Sequence, residues 1–299
     1  MTWQFVLTGL VIGVLVGMTG MGGGSLMTPI LVIVFGFKPT LAVGTDILHG
    51  AIFKTVGAAR HRRLGTVHAR LSGWMLIGSA PASLGGVALA THLKHVYGAS
   101  AQDLMSYILG GALLFGAVGL VAKSLLQAKV IGDDDRFDMT WRDRFAALAI
   151  GLVGGFIVGL TSVGSGTFFG LTMLFVFPLR AHKVVGTDIL HAAALLYVAG
   201  FGHIVAGNVD MHAVGWLLIG SIPGVLIGSH YSVRLPEGIL RLTLANVLAL
   251  SGLKLVDVPN VWLAVALGLS VAIVVVLLVR EQRRWRARRA QRLEPAAET

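Results

Sequence analysis

Residues 5–37 run for 33 positions without a charged side chain, and residues 145–179 run for 35 more. A hydrocarbon core about 30 Å thick is crossed by about 20 helical residues, so each run is too long for one span. Each must turn inside or near the membrane. The composition agrees: 55% of the 299 residues are hydrophobic and 13% are charged, against about 25% charged in an average soluble domain. The fold class expected is an all-α polytopic membrane protein. No basic residue precedes the first apolar run, which continues past any cleavage point, so residues 3–18 read as a mature span rather than a signal peptide. There is no cysteine, and hence no disulfide framework or thiolate chemistry.

The second constraint is repetition. GTDILH occurs at residues 44–49 and again at 186–191, 142 positions apart, and that offset aligns a long stretch without a gap. Gly17, Thr19, Gly22 and Gly24 fall on Gly159, Thr161, Gly164 and Gly166. His61, Gly65 and Val67 fall on His203, Gly207 and Val209, and GWMLIGSAP (73–81) falls on GWLLIGSIP (215–223). An internal duplication of this kind is a common way to build a membrane transporter.

Apolar periodicity predicts spans at 3–18, 25–37, 40–57, 71–90 and 104–123 in the first copy. The second copy gives 145–160, 165–178, 184–201, 212–230 and 238–255, with an unpaired span at 258–279. The units expected are a first transmembrane repeat (1–123), a cytoplasmic linker (124–144), a second repeat (145–257), a final helix (258–280) and a basic tail (281–299). Lys and Arg concentrate in loops 60–70, 123–144 and 180–183, at Arg234 and Arg241, and in seven arginines between 280 and 292. Cytoplasmic loops are enriched in these residues, and five spans per copy plus one put all these positions on one side. The odd number makes the repeats inverted and the C-terminus cytoplasmic. The formal charge of +10 is thus accounted for by topology, and the tail reads as an anchor on anionic lipid rather than a nucleic-acid site.

Two polar motifs interrupt this apolar frame. The first is GMGGGS at 20–25 and its partner SVGSG at 162–166, where glycine density favours a break that leaves backbone N–H groups unpaired. Short helices starting at Ser25 and Ser165 would aim amides and positive dipole ends at the break, which suits an anion. Close helix packing is the competing explanation of glycine, and it serves better for Gly9, Gly13 and Gly110. The second motif is GTDILH itself, which places Asp46 with His49, and Asp188 with His191, three apart on one helical face. Intramembrane ionisable groups normally face a partner or an aqueous path, so these pairs are candidates for proton transfer or ion coordination. Helix capping by Thr45 and Asp46 is the structural alternative. Lys54 falls on Leu196 and reads as a snorkelling side chain near the cytoplasmic end. His61 and His203 read as loop or interface histidines. No zinc-protease, nucleophile-elbow or Walker motif is present, so no cofactor and no enzyme are expected.

With GMGGGSLMTPILV, AVGTDILHGAIFKTVGAARHRRLGTV and the second-half GLTSVGSG, VVGTDILHAA and GSIPGVLIGS, the chain resembles the sulfite exporter TauE/SafE family of membrane permeases from about Gly9 to Leu255. The resemblance implies transport of a small sulfur-containing anion such as sulfite, a sulfonate, sulfoacetate or thiosulfate, in a bacterial inner membrane. The second glycine motif departs from the full pattern, and Pro29 and Pro39 become Leu171 and Ala181, so the two halves are not chemically equal.

The reading from residues and resemblance together is a secondary transporter whose anion sits between the two breaks. Its expected contacts are Thr19, Gly22, Gly23, Gly24, Ser25 and Thr45 from the first copy, and Thr161, Ser162, Gly164, Ser165, Gly166 and Thr187 from the second. Asp46, His49, Asp188 and His191 would carry coupling protons. A cation carrier using the paired aspartates and a non-transporting membrane subunit are the alternatives.

Overall fold

The computed structural model describes residues 2–19, 24–126, 137–231, 237–263, 265–266 and 268. Most of the predicted span 258–279, the basic tail and the centre of the linker lie outside these residues. The described elements are α1 (Thr2–Thr19), α2 (Gly24–Ile33), α3 (Pro39–Arg63), α4 (Ala69–Leu126), α5 (Trp141–Thr161), α6 (Phe168–Val176), α7 (Ala181–Val205), α8 (Met211–Tyr231) and α9 (Glu237–Leu255). α3 and α7 keep the 142-residue offset at both ends, and α4 and α8 keep it at their starts. Among the described residues, five stretches are long and apolar enough to cross a membrane: Ala69–Gly98, Ser100–Ala122, Trp141–Thr161, His182–Val205 and Met211–Gly228.

All ten predicted spans of the two copies have a helical counterpart, with two departures. The expected loop at 91–103 is helical, and α4 runs through it with a single break at Gly98, whose φ of 53° and ψ of −116° suit glycine alone. α6 starts at Phe168, three residues after the expected Ser165, because Ser162, Gly164 and Gly166 all take positive φ and cannot continue a helix.

The repeats are inverted, and packing distances show it. Gly44 near the start of α3 faces Asn208 just beyond the end of α7, while Gly186 near the start of α7 faces Thr66 just beyond the end of α3. The two equivalent helices are therefore antiparallel. Gly110 of α4 and its counterpart Gly252 of α9 lie against each other's backbone, and Thr55 donates to the hydroxyl of its own counterpart, Tyr197, at 3.1 Å. These contacts between equivalent positions mark the pseudo-two-fold axis. The short helices return to the level at which α1 and α5 begin. Phe35, just after α2, stacks on Phe5 at 4.5 Å between ring centroids, and Phe177, just after α6, meets Phe137 at 5.9 Å.

The repeats also exchange helices. α1 packs along α8 of the second copy, and α5 along the first arm of α4 in the first copy. Glycine lets these backbones touch: a methyl on Gly220 would stand 1.9 Å from the Val6 carbonyl oxygen, and one on Gly78 would stand 2.4 Å from that of Leu148. Gly9 and Gly151, Gly13 and Gly155, and Gly86 and Gly228 repeat the pattern on both sides, as small-residue faces do in membranes. Two apolar clusters fill the halves, one around Met27, Leu31, Leu113 and Leu217, the other around Met75, Phe169, Met173 and Leu195. Large apolar side chains such as Phe115, Val118, Phe145 and Phe201 point outward, as lipid-facing positions should. Gly220→Val and Gly78→Val are each expected to destabilise the protein by about 1–3 kcal/mol or more, measured as the loss of thermal stability in detergent, whereas Gly73→Val, where a methyl meets nothing, is expected to be nearly neutral.

Candidate functional site

The second break is a six-residue irregular segment, 162–167, and every residue in it is buried. Ser162 caps α5 in the left-handed region with φ 63°, and its N–H donates to Val158 O at 2.7 Å. The Thr161 hydroxyl donates to the Ile157 carbonyl at 2.7 Å and accepts from Val163 N–H at 3.2 Å, so it is engaged within the turn. Phe168 N–H bonds back to Gly164 O at 3.0 Å and starts α6. Non-helical backbone at membrane depth is tolerated only inside protein or beside a cavity. Of the first break, Thr19 ends α1 and Gly24 and Ser25 open α2; Gly22 and Gly23 lie outside the described residues.

α3 of the first copy lies along the second break and reaches it twice. Asp46 Oδ2 accepts hydrogen bonds from the Thr28 hydroxyl of α2 and from Ser162 Oγ, the latter at 2.8 Å. Its other oxygen, Oδ1, is buried and has no hydrogen-bond partner among the described residues. Two turns on, Lys54 Nζ donates to Ser165 Oγ at 2.7 Å. Lys54 does not snorkel: it is 3% exposed and within electrostatic reach of both Asp188 and Asp46. The antiparallel contact of α3 with α7 puts position 54 in the interior, which span-end proximity in sequence did not reveal.

The histidines have separate partners. His49 Nε2 is 2.9 Å from Ser221 Oγ, and His191 Nε2 is 2.9 Å from Ser79 Oγ. Each pair joins one copy to the other and is the mirror of its twin. Asp46 and His49 therefore share a helix face, as their spacing predicts, yet bind different elements. Ser79 and Ser221 went unnoticed in the sequence, although they end the repeated GWxLIGS motif; their signal was there, next to the more conspicuous Trp and Pro. Thr45 and Thr187 are fully buried, and their hydroxyls accept from Asp210 N–H at 3.0 Å and His68 N–H at 2.9 Å. Each thus holds the start of a helix of the opposite copy. His203 Nε2 lies 2.9 Å from Gly159 O and ties the end of α7 to α5 within the second copy.

A buried carboxylate, an ammonium and a broken helix meet between the two inverted repeats, the kind of place where transporters commonly hold their solutes. The comparison with known proteins identifies the frame: residues 5–255 match the family described as Sulfite exporter TauE/SafE. The chain belongs to the TauE/SafE family. It is similar to the probable membrane transporter protein YjnA of Bacillus subtilis (strain 168), with 39% identity over 259 residues, 86% of this chain and 100% of that protein. It is also similar to the probable membrane transporter protein YdhB of the same organism, 24% identical over 84% of this chain and 98% of YdhB. The probable membrane transporter protein y4hK of Sinorhizobium fredii (strain NBRC 101917 / NGR234) is 27% identical over 74% of this chain and 84% of its own length. No solved structure matches. This TauE/SafE chain is an integral membrane transporter, not an enzyme.

Because the two His–Ser pairs are mirror images, Ser221→Ala and Ser79→Ala are expected to cost similar stability, about 1–3 kcal/mol each for a buried group left unpaired. Thermal unfolding of the two variants in detergent checks this; unequal losses would mean that only one pair carries the frame.

Proposed function

We propose that this transporter moves a small sulfur-containing anion, such as sulfite, a sulfonate, sulfoacetate or thiosulfate, across the bacterial inner membrane by a proton-coupled secondary mechanism. The observation that carries this reading is Asp46, a carboxylate of one repeat buried against the broken helix of the other and bridging α2 to Ser162. A titratable group that ties together elements of both repeats is suited to couple its protonation to their relative movement.

In this reading the anion binds near the midplane between the breaks. Backbone amides of Gly22, Gly23, Gly24 and Ser25, and of Gly164, Ser165 and Gly166, hold its oxygens, with hydroxyls of Thr19, Ser25, Thr161, Ser162 and Ser165 around it. Thr45 and Thr187 serve the site by fixing the neighbouring helix starts. Asp46, His49, Asp188 and His191 carry or relay the protons. One repeat rocks against the other about the pseudo-two-fold axis, and the driving force is an ion gradient or the substrate's own. The basic tail lies on anionic lipid at the cytoplasmic face.

The test is flux of sulfite, thiosulfate, sulfoacetate and sulfate into proteoliposomes under an imposed pH gradient, with wild type beside Asp46→Asn and Asp188→Asn. Gradient-driven flux of a sulfur anion that falls at least about tenfold in either variant is the expected result, as loss of a positioned proton carrier implies. Absence of flux for every anion with the folded wild type would remove the sulfur-anion reading. Undiminished gradient coupling in both variants would remove the protons from these aspartates.

A further inference from the structure

The two copies share a frame and differ in the chemistry placed on it. Lys54 falls on Leu196, its acceptor Ser165 falls on Gly23, and the two donors to Asp46, Thr28 and Ser162, fall on Gly170 and Gly20. By contrast, the aspartate, the histidine and the serine bonded to that histidine occur in both copies. Four positions around one spot, two from each copy, are therefore polar where α3 meets the 162–167 turn, and their mirror positions are glycine or leucine in the sequence.

The polar set is arranged for a negative charge. Lys54 is buried, and an ammonium has three N–H groups, of which the bond to Ser165 uses one. Ser165 stands just before α6, a nine-residue helix whose N-terminal end adds positive potential at the same turn. The uncompensated Oδ1 of Asp46 is buried on the same helix as Lys54. An anion at the turn gains the Lys54 ammonium as a partner, in competition with the carboxylates of Asp188 and Asp46 that lie within its electrostatic reach.

We propose that Lys54 is the residue that recognises the substrate's charge, seating the anion on the 162–167 turn beside Ser165, so that the site is one-sided within a symmetric frame. This rests on the anion-transport reading above and assigns the charged part of the substrate to the second break.

The experiment uses the full chain in proteoliposomes with radiolabelled sulfite and thiosulfate, comparing wild type, Lys54→Gln and Lys54→Arg for KM and Vmax. Protection of thermal stability by the same anions in detergent is the second readout. A charged hydrogen bond is worth about 1.5–3 kcal/mol, so Lys54→Gln should raise KM by about 10- to 100-fold and lose the thermal protection. Lys54→Arg should keep most of both. If Lys54→Gln fails to fold, the double variant Lys54→Leu with Ser165→Gly replaces it under the same criteria, because it installs residue types the mirror half already accommodates. Unchanged KM in the neutral variant, with or without a lower Vmax, overturns the proposal while leaving wild-type anion transport standing. A wild type that moves neither anion overturns both.

Discussion

Hydrocarbon supplies no hydrogen bonds, so every backbone amide that leaves a helix at membrane depth must be enclosed by protein. Between α5 and α6 the chain interrupts a helix at 162–167, and the architecture around it follows from having to enclose that interruption. Neither repeat does so alone. α1 leaves its own copy to lie on α8, α5 lies on the first arm of α4, and α3 of one copy crosses the break of the other. The glycines that permit backbone contact at Gly220, Gly78, Gly151 and Gly9 are thus the condition for burying 162–167. They also set the polar contacts. Gly13 and Gly155 bring α1 and α5 against the backbone of Ser221 and Ser79, and those two serines hold the histidines of α3 and α7.

Inversion places like against like at the axis, where Thr55 meets Tyr197 and Gly110 meets Gly252. Inverted repeats of this kind are common in transporters that work by alternating access. The bonds from Thr45 and Thr187 to the opposite copy tie each GTDILH helix to the start of a partner helix, so α3 and α8, and α7 and α4, are braced across the interface. Against this symmetry stands the inequality of the two breaks, with hydroxyls and a lysine on one and glycine at the mirror positions of the other. A symmetric hinge and an asymmetric site are compatible because the first depends on backbone packing and the second on side chains.

Much of this was legible in the sequence. The helical segments of the two copies, their inversion and the packing role of Gly9, Gly13 and Gly110 follow from apolar runs, an odd span count and small-residue spacing. The site was legible in part. The aspartates and histidines stood out because charge inside an apolar run is costly and therefore meaningful. Lys54 was misjudged for a related reason: proximity to Arg60 in the sequence suggested the water interface, while the depth of a side chain depends on which neighbours surround its helix. Thr45 and Thr187 were expected at the anion, but their hydroxyls hold helix starts, a role set by contacts more than a hundred residues away in the chain. The helical continuation to Gly98 escaped because residues 91–103 are polar enough to resemble a loop, and helix persistence there depends on a single glycine absorbing the turn.

By itself the sequence determined the membrane solvent, the duplication, the inversion and the glycine break between α5 and α6, since each is written in local periodicity and in the fixed offset between copies. Tertiary structure decided which copy's helix faces which break. It therefore decided that Asp46 and Lys54 of the first repeat serve the turn of the second, and that each histidine takes its serine from the opposite half. The physical reason is that periodicity specifies which face of a helix is polar, whereas the partner of that face depends on helix exchange, which arises only when all the glycine contacts close together.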